Sequence, residues 1–209
     1  MYDPLRLAGL GGMSMLLVAV FVWQPGPVAA GTWARLAAVV AQSDPAAAPN
    51  DPLVEFYAER QGRPLWFDGS LPSPRMGELL GVLADAASEG LDPADYRPEA
   101  LREACYRDPP PDPLSCELSL TDSLLRYARD VSSGALAASA VDPDWHIPRQ
   151  PLAVAQLLTR VANADALTPL LHTLPPPHAA YQRLREALAR YRDAGKTSWP
   201  RVVDGPLLR

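Results

Sequence analysis

Proline recurs through this chain at a density that limits what the chain can build: 24 of its 209 residues carry the pyrrolidine ring. Each ring fixes φ near -65° and removes a backbone donor, so a helix interior or a central strand tolerates it only at a cost of ~3 kcal/mol or more. The expectation is an all-α, compact bundle of many short helices joined by stiff, proline-rich loops. A sizeable core remains within reach, because hydrophobic residues make up 48% and charged residues 21% of the chain, close to globular averages. The length suits one ordinary domain with appendages. Formal net charge is -5 and Lys196 is the only lysine, so arginine carries nearly all the positive charge. An acidic chain lacks the cationic excess that phosphate neutralisation requires, which argues against a nucleic-acid partner.

Residues 1–30 read as a targeting segment. Arg6 lies in a short leading region, an apolar run follows from Met13 to Trp23, and Val28-Ala29-Ala30 fits the small-residue cleavage pattern. Cleavage between Ala30 and Gly31 is one reading. The other is retention as a membrane anchor through residues 5–23, which nearly reach the ~20 apolar residues a spanning helix needs, although three glycines dilute them. Either outcome exports the domain. In an oxidising compartment an even cysteine count favours a disulfide. Cys105 and Cys116, the only two, flank a loop with prolines at 109, 110, 111 and 113. Their pairing is expected, with two separate buried thiols as the alternative. Zinc is not expected, since the cysteine spacing lacks a second pair and His146, His172 and His178 form no ligand cluster.

Residues 31–50 read as a flexible linker, 51–194 as a helical domain, and 195–209 as a linker toward a further module. Asp51-Pro52 is a helix start, with Leu53, Phe56 and Tyr57 at helical spacing. Pro64 to Phe67 is a short extended run, and Asp68-Gly69 is a turn signal. From Pro74 to Ser88 the apolar set Met76, Leu79, Leu80, Leu83 and Ala87 predicts a helix, with Gly90 as its left-handed stop. A shorter helix is expected over Pro98 to Tyr106. Another opens at Ser119 or Thr121, with Leu120, Leu124, Tyr127 and Val131 on one face before Gly134. Ala135 to Pro151 reads as loop. Val154, Leu157, Leu158 and Val161 predict a helix, and Leu167 to Leu174 a brief turn. The last helix runs from about His178 to Asp193, with Tyr181, Leu184, Leu188 and Tyr191 inward and arginines flanking. No alternating strand pattern of useful length is present.

Nucleophilic catalysis needs a nucleophile, a base within reach and a group that stabilises developing charge. No such constellation is visible. His146 lies in a proline-flanked loop without an orienting partner, Asp92 and Asp95 fit helix caps, and no glycine-rich phosphate loop follows a strand. No catalytic residue, cofactor or metal ligand is assigned. The aromatics Phe56, Tyr57, Trp66, Phe67, Trp145 and Tyr181 are open to two readings, a sugar-stacking groove or core packing. Arg185 and Arg192 are likewise either a ligand or partner surface or a solvated helix flank.

Several ordered combinations are more specific. They are Phe56-Tyr57-x-x-Arg60 with Pro64-Leu65-Trp66; Gly90-Leu91 with Pro93 and Tyr96; Leu118-x-Leu120-Thr121 with Leu124, Tyr127 and Gly134; and Leu174-Pro175 leading to Tyr181, Leu184, Ala187, Leu188 and Tyr191. Together, over about Asp51 to Arg209, they resemble the scaffold domain of periplasmic murein L,D-transpeptidases. The resemblance implies a periplasmic setting, cell-wall cross-linking, and a helical body that positions a catalytic domain or its peptidoglycan substrate. The family's Ser-His-Gly-Cys motif has no counterpart here, because Cys105 follows Arg102-Glu103-Ala104 and Cys116 follows Pro113-Leu114-Ser115. No catalytic residue therefore carries over, and this chain alone is expected to be inactive in cross-linking. The rival expectation is an unrelated exported adaptor, or an enzyme with an unrecognised site.

Overall fold

Proline marks where the helices begin. The computed structural model describes residues 51–107, 112–136, 141–142, 144 and 150–198, and within them Pro52, Pro74, Pro98 and Pro113 stand at the starts of α1 (Pro52–Glu59), α2 (Pro74–Ala84), α3 (Pro98–Cys105) and α4 (Pro113–Ser133). The first-turn N–H has no intrahelical partner in any case, so the ring costs nothing there and its fixed φ suits the helix. Asp51 caps α1 by accepting from Leu53 N at 2.7 Å, and Asp112 caps α4 by accepting from Ser115 N at 3.1 Å. Further along the described residues come α5 (Val154–Asn163), α6 (Leu167–Leu171) and α7 (Ala179–Gly195).

This placement corrects two expectations. Helix α4 opens at Pro113 rather than at Ser119 or Thr121 and runs for 21 residues. Prolines confined to helix starts do not limit helix length, so the elements are not uniformly short. The extended run before Asp68-Gly69 closes a minimal antiparallel hairpin, β1 (Phe67–Asp68) with β2 (Leu71–Pro72), in the register Phe67↔Pro72 and Asp68↔Leu71. Gly69, at φ 68°, supplies its left-handed turn. The fold is otherwise helical, as expected. Helix α2 stops earlier than its apolar period suggests and tightens into a 3-10 turn over Ala86–Glu89, ended by Gly90 at φ 84°. The change of pitch buries Ala86 in place of Ala87.

The core gathers the predicted faces: Met76, Leu79, Leu80 and Leu83 of α2, Leu120, Leu124, Tyr127 and Val131 of α4, and Leu157, Leu158 and Val161 of α5 are all buried. Helix α2 packs against α3, α4 and α6, and α1 packs against α5. Two charged residues in the first turns of α2 fasten α5 and α6 to it. Arg75 donates to Val161 O, Ala162 O and Ala164 O at 3.0, 2.8 and 2.8 Å, satisfying carbonyls at the α5 C-terminus. Glu78 Oε2 accepts from Leu167 N and Thr168 N, both at 2.8 Å, at the α6 N-terminus. Each charge is opposite in sign to the helix end it meets, the favourable arrangement. Cys105 and Cys116 form a disulfide joining α3 to α4, with their Cα atoms 5.6 Å apart.

Candidate partner surface on the last helix

Tyr57 and Trp66 do not form a surface groove. Both are fully buried, and the polar tips of both rings meet on α4. The Tyr57 hydroxyl donates to Glu117 Oε1 at 2.8 Å and lies 2.9 Å from Thr121 Oγ1; Trp66 Nε1 donates to Thr121 Oγ1 at 2.9 Å. Glu117 also accepts from the backbone N–H groups of Leu65 at 2.6 Å and Trp66 at 3.1 Å. A buried ring bearing an O–H or N–H requires a partner, and these partners draw both aromatics inward. Burial raises the Glu117 carboxyl to about 7, against the opposing pull of the Leu65 N–H and the Tyr57 hydroxyl. This cluster is a polar lock inside the core, and it gathers residues from the sequence signatures around Tyr57, Trp66 and Thr121. Glu117 itself was not singled out from the sequence. Its signal was its position one turn before Leu120 on the apolar stripe of α4, where a carboxylate needs dedicated donors.

Arg185 and Arg192 lie together on α7, where the helix crosses the 3-10 turn Ala86–Glu89. Glu89, with its side chain 5% exposed, accepts from the Tyr181 hydroxyl at 2.7 Å and pairs with Arg185 Nη2 at 2.9 Å. Burial first, and then the bond to Glu89, holds the Tyr181 phenol protonated well above its ordinary range. Arg185 Nε also reaches Ser88 O at 3.4 Å, and Arg192 donates to Ala87 O. Leu188 packs at Gly90, where a Cβ would lie 3.6 Å from Leu188 Cδ2. Beside these contacts a groove of about 340 Å3 is lined by Ser88, Gln182, Arg185, Glu186, Leu188 and Arg192, together with Ala189.

Helix α7 therefore docks by the tips of four side chains and buries no residue of its own. The expectation of four inward apolar positions holds for Tyr181 and Leu188 and fails for two others. Leu184 is 69% and Tyr191 79% exposed. Positions 181, 185, 188 and 192 fall on one stripe at helical spacing, whereas Ala180, Leu184, Ala187 and Tyr191 fall on the adjacent one. The 3-10 turn is too narrow to cover both stripes. The result is an apolar edge on a basic helix, with Arg183 and Arg190 exposed one helical step further round.

Elsewhere, Asp92 acts as a cap, accepting from Ala94 N at 3.0 Å. Among the described residues no group of three His, Cys, Asp or Glu side chains could hold a metal ion, and no cysteine is free. Trp145 and His146, the leader with Ala30 and Gly31, the linker 31–50 and residues 199–209 lie outside the described residues.

A family model described as "Scaffold domain" matches residues 51–188. No curated protein and no solved structure matches the chain.

Proposed function

The chain belongs to the Scaffold domain family, and from that premise we propose that it is a non-catalytic module of peptidoglycan L,D-transpeptidation in the periplasm, presenting α7 to a transpeptidase catalytic domain or to its peptidoglycan substrate. The observation that carries this reading is the unpartnered edge of α7. Two large apolar side chains one heptad apart, 69% and 79% exposed, sit on a helix held to the domain through Tyr181, Arg185, Leu188 and Arg192. Amphipathic helices dock through anchors at this spacing. The link to cell-wall cross-linking is supported by the ordered signatures around Tyr57, Trp66, Thr121 and Tyr191, most of which resolve here into the core lock and the α7 docking contacts.

The exported chain supplies the body and the partner surface, while chemistry comes from a separate domain. The test is retention of the purified chain on sacculi and on an immobilised L,D-transpeptidase catalytic domain, alongside incubation of the chain alone with tetrapeptide muropeptides. Retention on either support without cross-linking by the chain alone is the expected result. Cross-linked dimers formed by the chain alone would overturn the non-catalytic assignment. Failure to bind both supports would overturn the cell-wall assignment.

A further inference from the structure

We propose that the cleft between α3 and the start of α4 is a binding site for a carboxylate carried on a small apolar group. The cleft encloses about 230 Å3 and is lined by Arg97, Ala100, Leu101, Ala104, Ser115 and Ser119, with the Cys105–Cys116 disulfide joining its two walls.

Arg97 is the residue that needs explaining. It adopts φ 50° and ψ 45°, and it shares a positive φ with only one other non-glycine among the described residues, Gln61. A side chain is disfavoured in this left-handed region, and the following Pro98 adds its own bias toward extended backbone. The backbone hydrogen bonds that hold the position, Arg97 N to Ala94 O at 3.3 Å and Leu101 N to Arg97 O at 3.0 Å, would form equally well with glycine, which carries no such strain. Packing does not explain the arginine, because the side chain is exposed. Pairing does not explain it either. Arg60, Arg75, Arg185 and Arg192 each donate to a backbone carbonyl, whereas the Arg97 guanidinium has no hydrogen-bond or ion-pair partner among the described residues. Strain retained at a position facing a cleft is a signature of function.

The lining decides the chemistry of the ligand. A free guanidinium offers a planar fork that fits a carboxylate with two parallel hydrogen bonds. No carboxylate lines the cleft to compete for it. The Ser115 and Ser119 hydroxyls, with no hydrogen-bond partner among the described residues, add donors. Between them the methyl groups of Ala100 and Ala104 and the edge of Leu101 leave a short apolar wall suited to a small alkyl group. The volume falls below the ~300–1,000 Å3 of pockets for drug-sized ligands, which points to a small acid or a chain end rather than a cofactor. The disulfide fixes the spacing of the walls before binding, so little ordering remains to oppose it.

The experiment is a titration of the isotopically labelled chain with N-acetylalanine, followed by amide chemical shifts, with inorganic phosphate as a parallel probe. Saturable shifts at Ala100, Ala104 and Ser119 at millimolar N-acetylalanine are expected. Arg97→Gly is the informative variant, because glycine suits the backbone: thermal stability should be unchanged or higher, while affinity falls by roughly tenfold or more through loss of a charge-assisted pair. Arg97→Lys keeps the charge without the fork and should bind more weakly than the parent. Absence of saturation, or equal binding by Arg97→Gly, would overturn the site. Equal shifts with phosphate would overturn the carboxylate assignment. The cleft is separate from α7, so neither outcome depends on the partner reading of that helix.

Discussion

Tyr57 and Glu117, sixty residues apart in sequence, share a hydrogen bond of 2.8 Å in the buried centre of the domain. The same carboxyl holds the backbone of Leu65 and Trp66, so one side chain of α4 ties α1, the approach to the hairpin and α4 together. Its energetics have two sides. A buried carboxyl is costly unless its lone pairs are satisfied, and here three donors satisfy them. Removing it strands the N–H groups of Leu65 and Trp66 and leaves the Tyr57 hydroxyl only Thr121 Oγ1 as a partner.

Glu117→Gln keeps one acceptor oxygen but turns an amide donor toward a former donor, so a loss of about 1–3 kcal/mol is expected, with Glu117→Ala costing more through the added cavity. The group also imposes a pH dependence. Its folded pKa of about 7 is raised above the unfolded value near ~4.3. The stability it contributes is therefore fully present below the unfolded pKa, declines between the two values, and is lost as pH rises through about 7, a change of roughly 4 kcal/mol at most. Urea denaturation between pH 5 and 8 should show this decline in the parent and a flatter profile in Glu117→Gln. Parallel profiles would mean that the carboxyl is not held protonated in the fold.

The Arg75 and Glu78 clamp acts on two helix ends at once. Glu78→Gln should loosen the start of α6, and Arg75→Met should loosen the end of α5, each by about 1–2 kcal/mol because charge-assisted bonds to backbone groups are lost. The backbone N–H groups of α6 hold the Glu78 carboxyl below its ordinary range. Its contribution is thus present above the unfolded pKa and is lost as pH falls through the folded one, the opposite sign to Glu117. Hydrogen exchange resolves the effect: protection should fall first in α5 and α6, with the centre of α2 affected least. Uniform loss across the domain would argue against a local clamp.

Cys105→Ser should lower stability by roughly 3 kcal/mol, since the bond closes a loop of about ten residues and restricts the unfolded chain. The S–S bond also fastens α3, an eight-residue helix that buries Pro98, Leu101 and Cys105, to the long core helix α4. Thermal melts with and without reductant should differ in the parent and coincide in the variant. Coincident melts in the parent would show that the bond contributes nothing.

Much of this architecture was legible from local pattern. The stripes of α2, α4 and α5 and the left-handed stop at Gly90 follow from periodicity and glycine chemistry, which act within a few residues. The start of α4 was missed because Asp112-Pro113 follows three prolines and reads as part of their loop, although an acid before proline is the same start signal as Asp51-Pro52. The core lock was missed for a different reason. Tyr57, Trp66 and Glu117 meet only through tertiary packing, and an aromatic does not reveal in sequence whether its polar tip will find a partner inside. The outward turn of Leu184 and Tyr191 was hidden likewise, since an amphipathic period specifies a stripe without specifying how wide a surface will cover it.

Helix α7 separates folding from docking, and substitutions on its two stripes should do so in experiment. Leu184→Asp and Tyr191→Asp replace exposed side chains, so each should change stability by no more than about 0.5 kcal/mol. Both should nonetheless weaken retention on sacculi or on a transpeptidase catalytic domain, because a buried charge in an apolar contact is penalised. Tyr181→Phe and Arg185→Met act on the inner stripe. Each removes a partner from the nearly buried Glu89, the tyrosine hydroxyl at 2.7 Å and the guanidinium at 2.9 Å, and should cost about 1–3 kcal/mol. The inner-stripe loss should appear as faster hydrogen exchange along α7, with Leu184 and Tyr191 intact but presented on a looser helix. Partner binding should weaken in both classes, while lost stability and faster exchange mark only the inner one. Parent-like retention by Leu184→Asp together with Tyr191→Asp would show that the partner is met elsewhere, and the exposed edge of α7 would lose its assigned role.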